Sequence, residues 1–430
     1  MIQVTPIEQV LDGRVPEGKK VKIRGWIYRS RQQGKLNFVV VRDSTGILQC
    51  AVKKGVVAED HFEDASNALL ESAVIVEGTI EKDARAPGGF ELQASHFHVL
   101  HFSEVFPISK DQSTEFLLDV RHLWLRSREL TAAMKIKAKV LEAIRQYCKK
   151  EGYVETTPPI LSSSAAEGGS TLFEVPYFGK KAFLSQSAQL HLEALIFSLE
   201  KVYAITPSFR AEKSRTTKHL TEYWHFEGEA AHCTHEEIMA FEEQLVAFVC
   251  HAVARECQKE LAVLGKKPED LEKIKAPFQK IPYAEAVAIL QKNGFKFKEG
   301  DDFGADEETA LMSDFDQPVF VTNFPAAMKP FYMKENPDGT VNNHDLIAPG
   351  GGELIGGSER ETDLKLIEKK LKAAGEKLEN YAWYLDLRKF GSVQHSGFGL
   401  GVERLVKWVA GLEHIRDATA FPRVTNRAYP

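Results

Sequence analysis

A chain of 430 residues exceeds what one hydrophobic core usually organises, so two or more domains are expected. With 43% apolar and 27% charged residues it is an ordinary globular protein and not a fibrous or disordered one, and a formal net charge of -6 argues against indiscriminate coating of nucleic acid while leaving room for a locally basic face. No apolar run approaches the roughly 20 residues that a bilayer demands, and the start MIQVTPIEQVLDGRVPEGKK has no basic stretch leading into an apolar core, so a cytoplasmic location without a membrane is expected. The five cysteines are odd in number, scattered and never spaced as CxxC, which argues for buried thiols over disulfides or a zinc ribbon.

Residues 1–103 alternate in the manner of strands: VKIRGWIYRS, LNFVVVRDSTGILQCAV, SAVIVEGTIEKD and FELQASHFHVL. Each run is short, rich in β-branched or aromatic residues and bounded by turn formers, as in a five-stranded barrel of the oligonucleotide-binding (OB) kind. The helical spacing of VVAEDHFEDASNALLES fits a helix inserted into that barrel. Alternation alone makes Trp26 a core residue. Residues 104–131 break the pattern and carry Pro107, so a linker is expected there. From Ala132 the spacing turns helical through MKIKAKVLEAIRQYCKKEGY and ends in a glycine suited to a helix stop. Residues 132–430 mix helices with strands separated by hairpin-like turns, which favours an α+β fold with an antiparallel sheet flanked by helices. Within it, residues 276–325 contain two helical patterns and are expected to form an insertion.

Three segments of the second part carry chemistry. EGYVETTPPIL runs from a helix into a strand through Pro158 and Pro159, which taken singly is an edge strand. PSFRAEKSRTTKHLTEYWHFEGE gathers Arg210, Glu212, Lys213, Arg215, Lys218 and His219 around a turn, so that cations converge where a polyphosphate could sit. A charged hairpin tip that merely faces water is the plainer reading of that segment alone. SGFGLGVERLVKWVAGL places a glycine-rich strand before an amphipathic helix with Arg404 in its first turn, and glycines let a flat ligand approach the backbone.

In this order and spacing the segments resemble the three signature motifs of class II aminoacyl-tRNA synthetases. FRAE with KHL and GFGLGVERL is similar to the subgroup that handles aspartate, asparagine and lysine. The resemblance covers essentially the whole chain and implies ATP and Mg2+ as cofactors and tRNA as partner. It also implies an N-terminal OB barrel that reads the anticodon, and a homodimer built on the Pro158–Pro159 segment. By resemblance Arg210 holds the α-phosphate and the amino-acid carboxylate, Glu212 contacts the adenine amino group, and His219 the outer phosphates. Tyr223 and Arg404 sandwich the adenine, Leu220 and Gly401 complete the ATP site, and Glu353 in GGELIGGSER helps to bind the metal. Attack of a carboxylate on phosphorus needs charge neutralisation and in-line placement more than a general base, and no base is assigned.

The same resemblance places Glu167, Ser185, Gln189, Arg210, Glu227 and Arg360 in the amino-acid pocket, with Glu167 taking the substrate ammonium. Aspartate enzymes of the subgroup have a lysine where this chain has Leu192, and an aspartate where it has Glu227. Without the cation, a pocket that keeps a carboxylate is hostile to a second negative charge, whereas an amide can donate to Glu227 and accept from Arg360. Asparagine and tRNA(Asn) are therefore the expected substrates. Pro330 in MKPFYM and Glu359 in GGSER depart from the asparagine pattern. In the barrel, Arg31, Phe38, Gln49 and Glu91 match anticodon-contacting positions, Phe38 as the stacking aromatic. A non-discriminating aspartate enzyme, an asparagine-synthetase-like paralogue and a non-catalytic tRNA-binding protein remain as alternatives.

Overall fold

The computed structural model describes residues 3–163, 171–212 and 218–430. They divide between Thr114 and Glu115 into two compact units. The first unit is a closed barrel of five strands in the order β1-β2-β3-β5-β4, formed by β1 (Lys20–Gln33), β2 (Leu36–Arg42), β3 (Ile47–Lys53), β4 (Ala73–Lys82) and β5 (Phe90–His101). Period-two alternation builds it: Val21, Ile23 and Ile27 of β1 and Val74, Val76 and Ile80 of β4 all point into one apolar core. The Glu59–Asn67 helix adds Phe62 and Ala65 to the same core. Trp26, expected inside, is 47% exposed, because the inward phase of β1 is set by Ile23 and Ile27 and an even-numbered neighbour must face out.

Part of the expected linker is ordered second-unit structure. Arg121, on the Arg121–Trp124 helix, is buried and donates to the carbonyls of Arg416, Thr419 and Ala420 and to Asp417. A buried guanidinium needs this many acceptors, and its polarity disguises it in the sequence. The long helix that follows runs over Arg128–Lys150, capped by the Ser127 side chain on the Leu130 amide and left by way of Gly152 in a left-handed conformation.

The remaining strands are β6 (Val154–Glu155), β7 (Leu161–Ser162), β8 (Glu174–Tyr177), β9 (Lys180–Leu184), β10 (Lys201–Phe209), β11 (Glu222–Ala231), β12 (Gln279–Pro282), β13 (Val319–Thr322), β14 (Asn343–Ala348), β15 (Gly352–Glu359) and β16 (His395–Gly401). Among the described residues, eight of them form one sheet in the order β12-β13-β14-β15-β16-β11-β10-β6. Its centre is antiparallel, as expected, and a parallel pair closes each end. Residues 276–325 supply β12 and β13 to the sheet edge along with the two expected helices, Tyr283–Lys292 and Ala305–Leu311, so this segment is woven into the main sheet.

One face of the sheet packs Phe226, Phe398, Leu400 and Ile355 against the Arg128–Lys150 and His235–Glu256 helices. Burial of each such side chain contributes roughly 1.5–3 kcal/mol. The opposite face is a trough. In strand register, Asp345 of β14, Gly356 of β15, Gly399 of β16 and Glu227 of β11 lie in one row, and Asn343, Ser358, Gly397 and Glu229 in the next. Two acids thus stand at either end of a row whose middle carries no side chains, with their Cα atoms ~14 Å apart by strand spacing. Gly397 and Gly399 of β16 are sterically required. A Cβ on Gly397 would lie 1.9 Å from Glu229 Oε2, and one on Gly399 would lie 2.5 Å from His225 Nε2.

Beneath β15 runs a chain of buried polar groups. Glu242 lies 2.7 Å from His344 Nε2, and His344 Nδ1 lies 2.9 Å from His235 Nε2. Burial pushes both imidazoles down to about 3 and the Glu242 carboxyl well up. The chain therefore runs neutral, Glu242 donating to His344 and His344 to His235. A carboxyl raised in the folded state contributes stability that is complete below its unfolded value, 4.5, and is lost as pH rises. Glu242→Gln, whose amide can donate the same bond without an ionisation to suppress, is expected to gain stability over the wild type by up to ~1.4 kcal/mol per pH unit above that value. Urea unfolding at pH 5 and pH 8 measures this, and an advantage that shrinks toward pH 8 would contradict the neutral chain.

Candidate active site

The trough opens into a cavity of about 370 Å3. At one end, β10 hands the chain to Arg210 and Glu212, and the described chain returns through Lys218, His219 and Leu220 into β11. The Arg210 amide donates to the Thr221 carbonyl at 3.0 Å, which ties the two arms together, and the guanidinium sits 5.8 Å from the centre of the Tyr223 ring. Lys213, Arg215 and Glu167 lie outside the described residues. Gly401 closes the glycine strand, and Arg404, in the first turn of the Val402–Ala410 helix, donates from Nη1 to both the carbonyl and the carboxylate of Glu353 at 3.0 Å. Arg210, Glu353 and Arg404, taken from three distant stretches, line the same cavity.

Charge is arranged along it. Burial, then the nearby cations Arg404 and Arg210, hold His219 below its ordinary value. Burial disfavours the charge on Glu353, but Arg404 outweighs it and holds the carboxyl down. Asp345 is pushed up to about 6 by burial and by the neighbouring Glu353, against the pull of Lys329, whose Nζ lies 3.1 Å away. Lys329 and Asp345 both line the cavity and neither was anticipated. Asp345 sits eight residues upstream of Glu353 on the adjoining strand, a signal visible only once β14 and β15 are paired in register.

At the other end are Gln189, Glu227, Arg360 and Ser187. Glu227 is buried and accepts from the Ser187 hydroxyl and, at 2.8 Å, from the Ala188 amide; burial raises its carboxyl in spite of these bonds. Arg360 is gripped by both oxygens of Glu229 at 3.0 Å and donates to Ser358 at 2.7 Å. Ser185 is turned to the Ser187 carbonyl, and the residue brought to the cavity wall is Ser187. Leu192 likewise packs in an apolar cluster with Ile196 and Val202, away from the cavity lining.

In the barrel, Arg31 and Phe38 are directly opposed across β1 and β2, and Gln49 is paired with Glu91 across β3 and β5. Phe38 points outward because Val39 and Val41 occupy the core. Glu91 accepts one hydrogen bond from each of the Gln49 and Gln93 side-chain amides.

An antiparallel sheet that bears converging arginines, a nucleotide-sized trough and a neighbouring polar pocket, in a chain that also carries an OB barrel, defines an enzyme of the class II synthetase type. Residues 113–425 match the family model of class II tRNA synthetases (D, K and N), and residues 21–100 match that of the OB-fold nucleic acid binding domain. The chain is 47% identical over 416 residues to the asparagine--tRNA ligase of Thermoplasma acidophilum, with 96% of this chain and 97% of the relative covered. It is 50% identical over 420 residues to that of Thermococcus kodakarensis, with the same coverage. It superimposes on the crystal structure of asparaginyl-tRNA synthetase from Pyrococcus horikoshii complexed with asparaginyl-adenylate with a TM-score of 0.96, at 47% identity and 100% coverage of both chains. The chain belongs to the asparagine--tRNA ligase family of class II synthetases.

Gly399→Ala tests the trough directly. The added methyl collides with His225 and drives that ring toward the ligand space, so the KM for the amino acid is expected to rise on the order of 10²-fold while the fold is retained by circular dichroism.

Proposed function

We propose that the chain joins asparagine to tRNA(Asn) in two steps. The α-carboxylate of asparagine attacks the α-phosphorus of ATP, the bond to the β-phosphate breaks, and diphosphate leaves from an asparaginyl-adenylate. A terminal ribose hydroxyl of the tRNA then attacks the acyl carbon and AMP departs. The chain's own groups contribute position and charge. Arg210 neutralises the α-phosphate, while Tyr223 and Arg404 hold the adenine between them, with Glu212 at its amino group. Leu220 and Gly401 complete that end, and His219 meets the outer phosphates.

Glu353 and Asp345 fit a magnesium ion. Their oxygens lie 3.4 and 3.6 Å from the point that a Cβ on Gly356 would occupy, two hard donors around one bare position. A bound Mg2+ would offset the negative charge of the phosphates there.

One observation carries the choice of asparagine. The cation at the amino-acid end, Arg360, is already neutralised by Glu229, and the acid facing the same space, Glu227, is buried. An aspartate side chain would meet Glu227 without a cation to spare, whereas an amide donates to Glu227 and accepts from the N–H groups that Arg360 has left. Gln189 serves the ammonium end of the substrate, where Glu167 is proposed to act as well, and Ser185 holds the turn that presents Ser187.

The barrel reads the anticodon by stacking a base on Phe38 beside Arg31, with Gln49 and Glu91 at base edges. The exposed apolar residues Val154, Ile160 and Leu161 flank the Pro158–Pro159 segment and support a homodimer across it. No described helix is long and apolar enough to cross a membrane, and the proposed use of ATP and tRNA supports a cytoplasmic location.

ATP–diphosphate exchange assayed across the amino acids is expected to depend on asparagine and hardly on aspartate; strong exchange with aspartate would overturn the specificity while leaving the class intact. Phe38→Ala is expected to leave exchange unchanged and to lower the kcat/KM of tRNA charging by ~10- to 10²-fold, the worth of one stacked base. Impaired exchange in the absence of tRNA would contradict this division of labour.

A further inference from the structure

Behind the amino-acid end lies an ionic network centred on Glu193, a residue that none of the steps above uses. Glu193 is fully buried one turn along the Gln189–Leu199 helix. It accepts from the Gln189 amide nitrogen at 3.0 Å, the Tyr384 hydroxyl at 2.7 Å, Arg388 Nη2 at 2.6 Å and His395 Nε2 at 3.1 Å. Glu193, Glu229 and His395 bring potential ligand atoms within 4.8 Å of one another, a spacing suited to a cation. That place is taken: Arg388 is bonded to Glu193, and Arg360 to both oxygens of Glu229. The cluster is a set of buried ion pairs whose two ends, Gln189 and Arg360, both reach the cavity.

The chemistry of an amide makes this consequential. Burial would raise the Glu193 carboxyl, but Arg388 and His395 reverse that and hold it well below the ordinary carboxylate range. An ionised carboxylate only accepts, so the side chain of Gln189 must turn its NH2 to Glu193 and its carbonyl oxygen away. Gln189 lines the cavity, and the outward oxygen is an acceptor for a cationic group.

We propose that Glu193 is a positioning residue of the amino-acid pocket: by claiming the nitrogen of the Gln189 amide, it aims the carbonyl oxygen at the ammonium group of the substrate. Tyr384, Arg388 and His395 hold Glu193 in place for that purpose. The proposal rests on the reading of this cavity as an amino-acid site.

Glu193→Gln keeps the shape but offers Gln189 both a donor and an acceptor, so the orientation is no longer imposed. In ATP–diphosphate exchange its KM for asparagine is expected to rise ~10- to 10²-fold, with the KM for ATP within about twofold of wild type. A purely structural role would instead lower kcat with the folded fraction and leave both KM values together, and that outcome overturns the proposal. Tyr384→Phe removes a single hydroxyl from Glu193 and serves if the first variant does not fold; its KM for asparagine is expected to rise about threefold, again without a change for ATP. In a Gln189→Ala background, Glu193→Gln is expected to add less than about twofold, whereas a full multiplicative effect counts against the mechanism. Wild-type exchange that ignores asparagine overturns the site reading and the proposal together; asparagine-dependent exchange with no KM split in the variants overturns the proposal alone.

Discussion

The site depends on a row of the sheet that has to stay bare. Along β15 and β16, one face carries Ile355, Phe398 and Leu400 into the core while the other carries Gly356, Gly397 and Gly399. Strand alternation allows both at once, because successive residues face opposite ways. The same strands therefore anchor the molecule from below and leave from above a strip wide enough for a nucleotide and an amino acid. Asp345 of β14 and Lys329, which follows the Ala326–Met328 turn, lean over that strip on one side, and His225, Glu227 and Glu229 of β11 on the other.

Burying so many charges would be costly if they were single. They are paired: Glu229 with Arg360, Glu193 with Arg388, Asp345 with Lys329, Glu353 with Arg404 and Glu403 with Lys137. The pairings differ in depth. Those at the proposed amino-acid end are sealed from water, whereas Glu353 and Arg404 at the other end of the cavity remain partly exposed. A neutral, tightly specified side-chain pocket and a more open polyphosphate site follow from that gradient.

Much of this was legible in the amino-acid sequence where local pattern sufficed. The alternation of Val21, Ile23 and Ile27 marks the barrel, and the order of Arg210, His219, Glu353 and Arg404 marks a candidate site whose residues the fold brings to one cavity. What escaped was decided by partners far along the chain. Arg121 read as linker polarity because the carbonyls that satisfy it lie about three hundred residues later. The strands Gln279–Pro282 and Val319–Thr322 are four residues each, too short for any periodicity to declare itself beside the helices between them. Asp345 and Lys329 carry no local mark of function and gain one only from cross-strand register. Trp26 was misplaced because alternation gives two phases, and the choice between them belongs to its neighbours.

The glycine strip also bears on how such an enzyme can diverge. A methyl at Gly397 or Gly399 meets an acid or an imidazole at well under contact distance, so no small first step is open along the β16 part of the floor. The walls are different. Gln189 and Ser187 belong to a helix and its approach, and Glu227 to a neighbouring strand, and each can be exchanged without disturbing Phe398 or Leu400 beneath. Lineages built on this sheet are therefore free to explore new amino acids by editing the walls, while inheriting the floor unchanged.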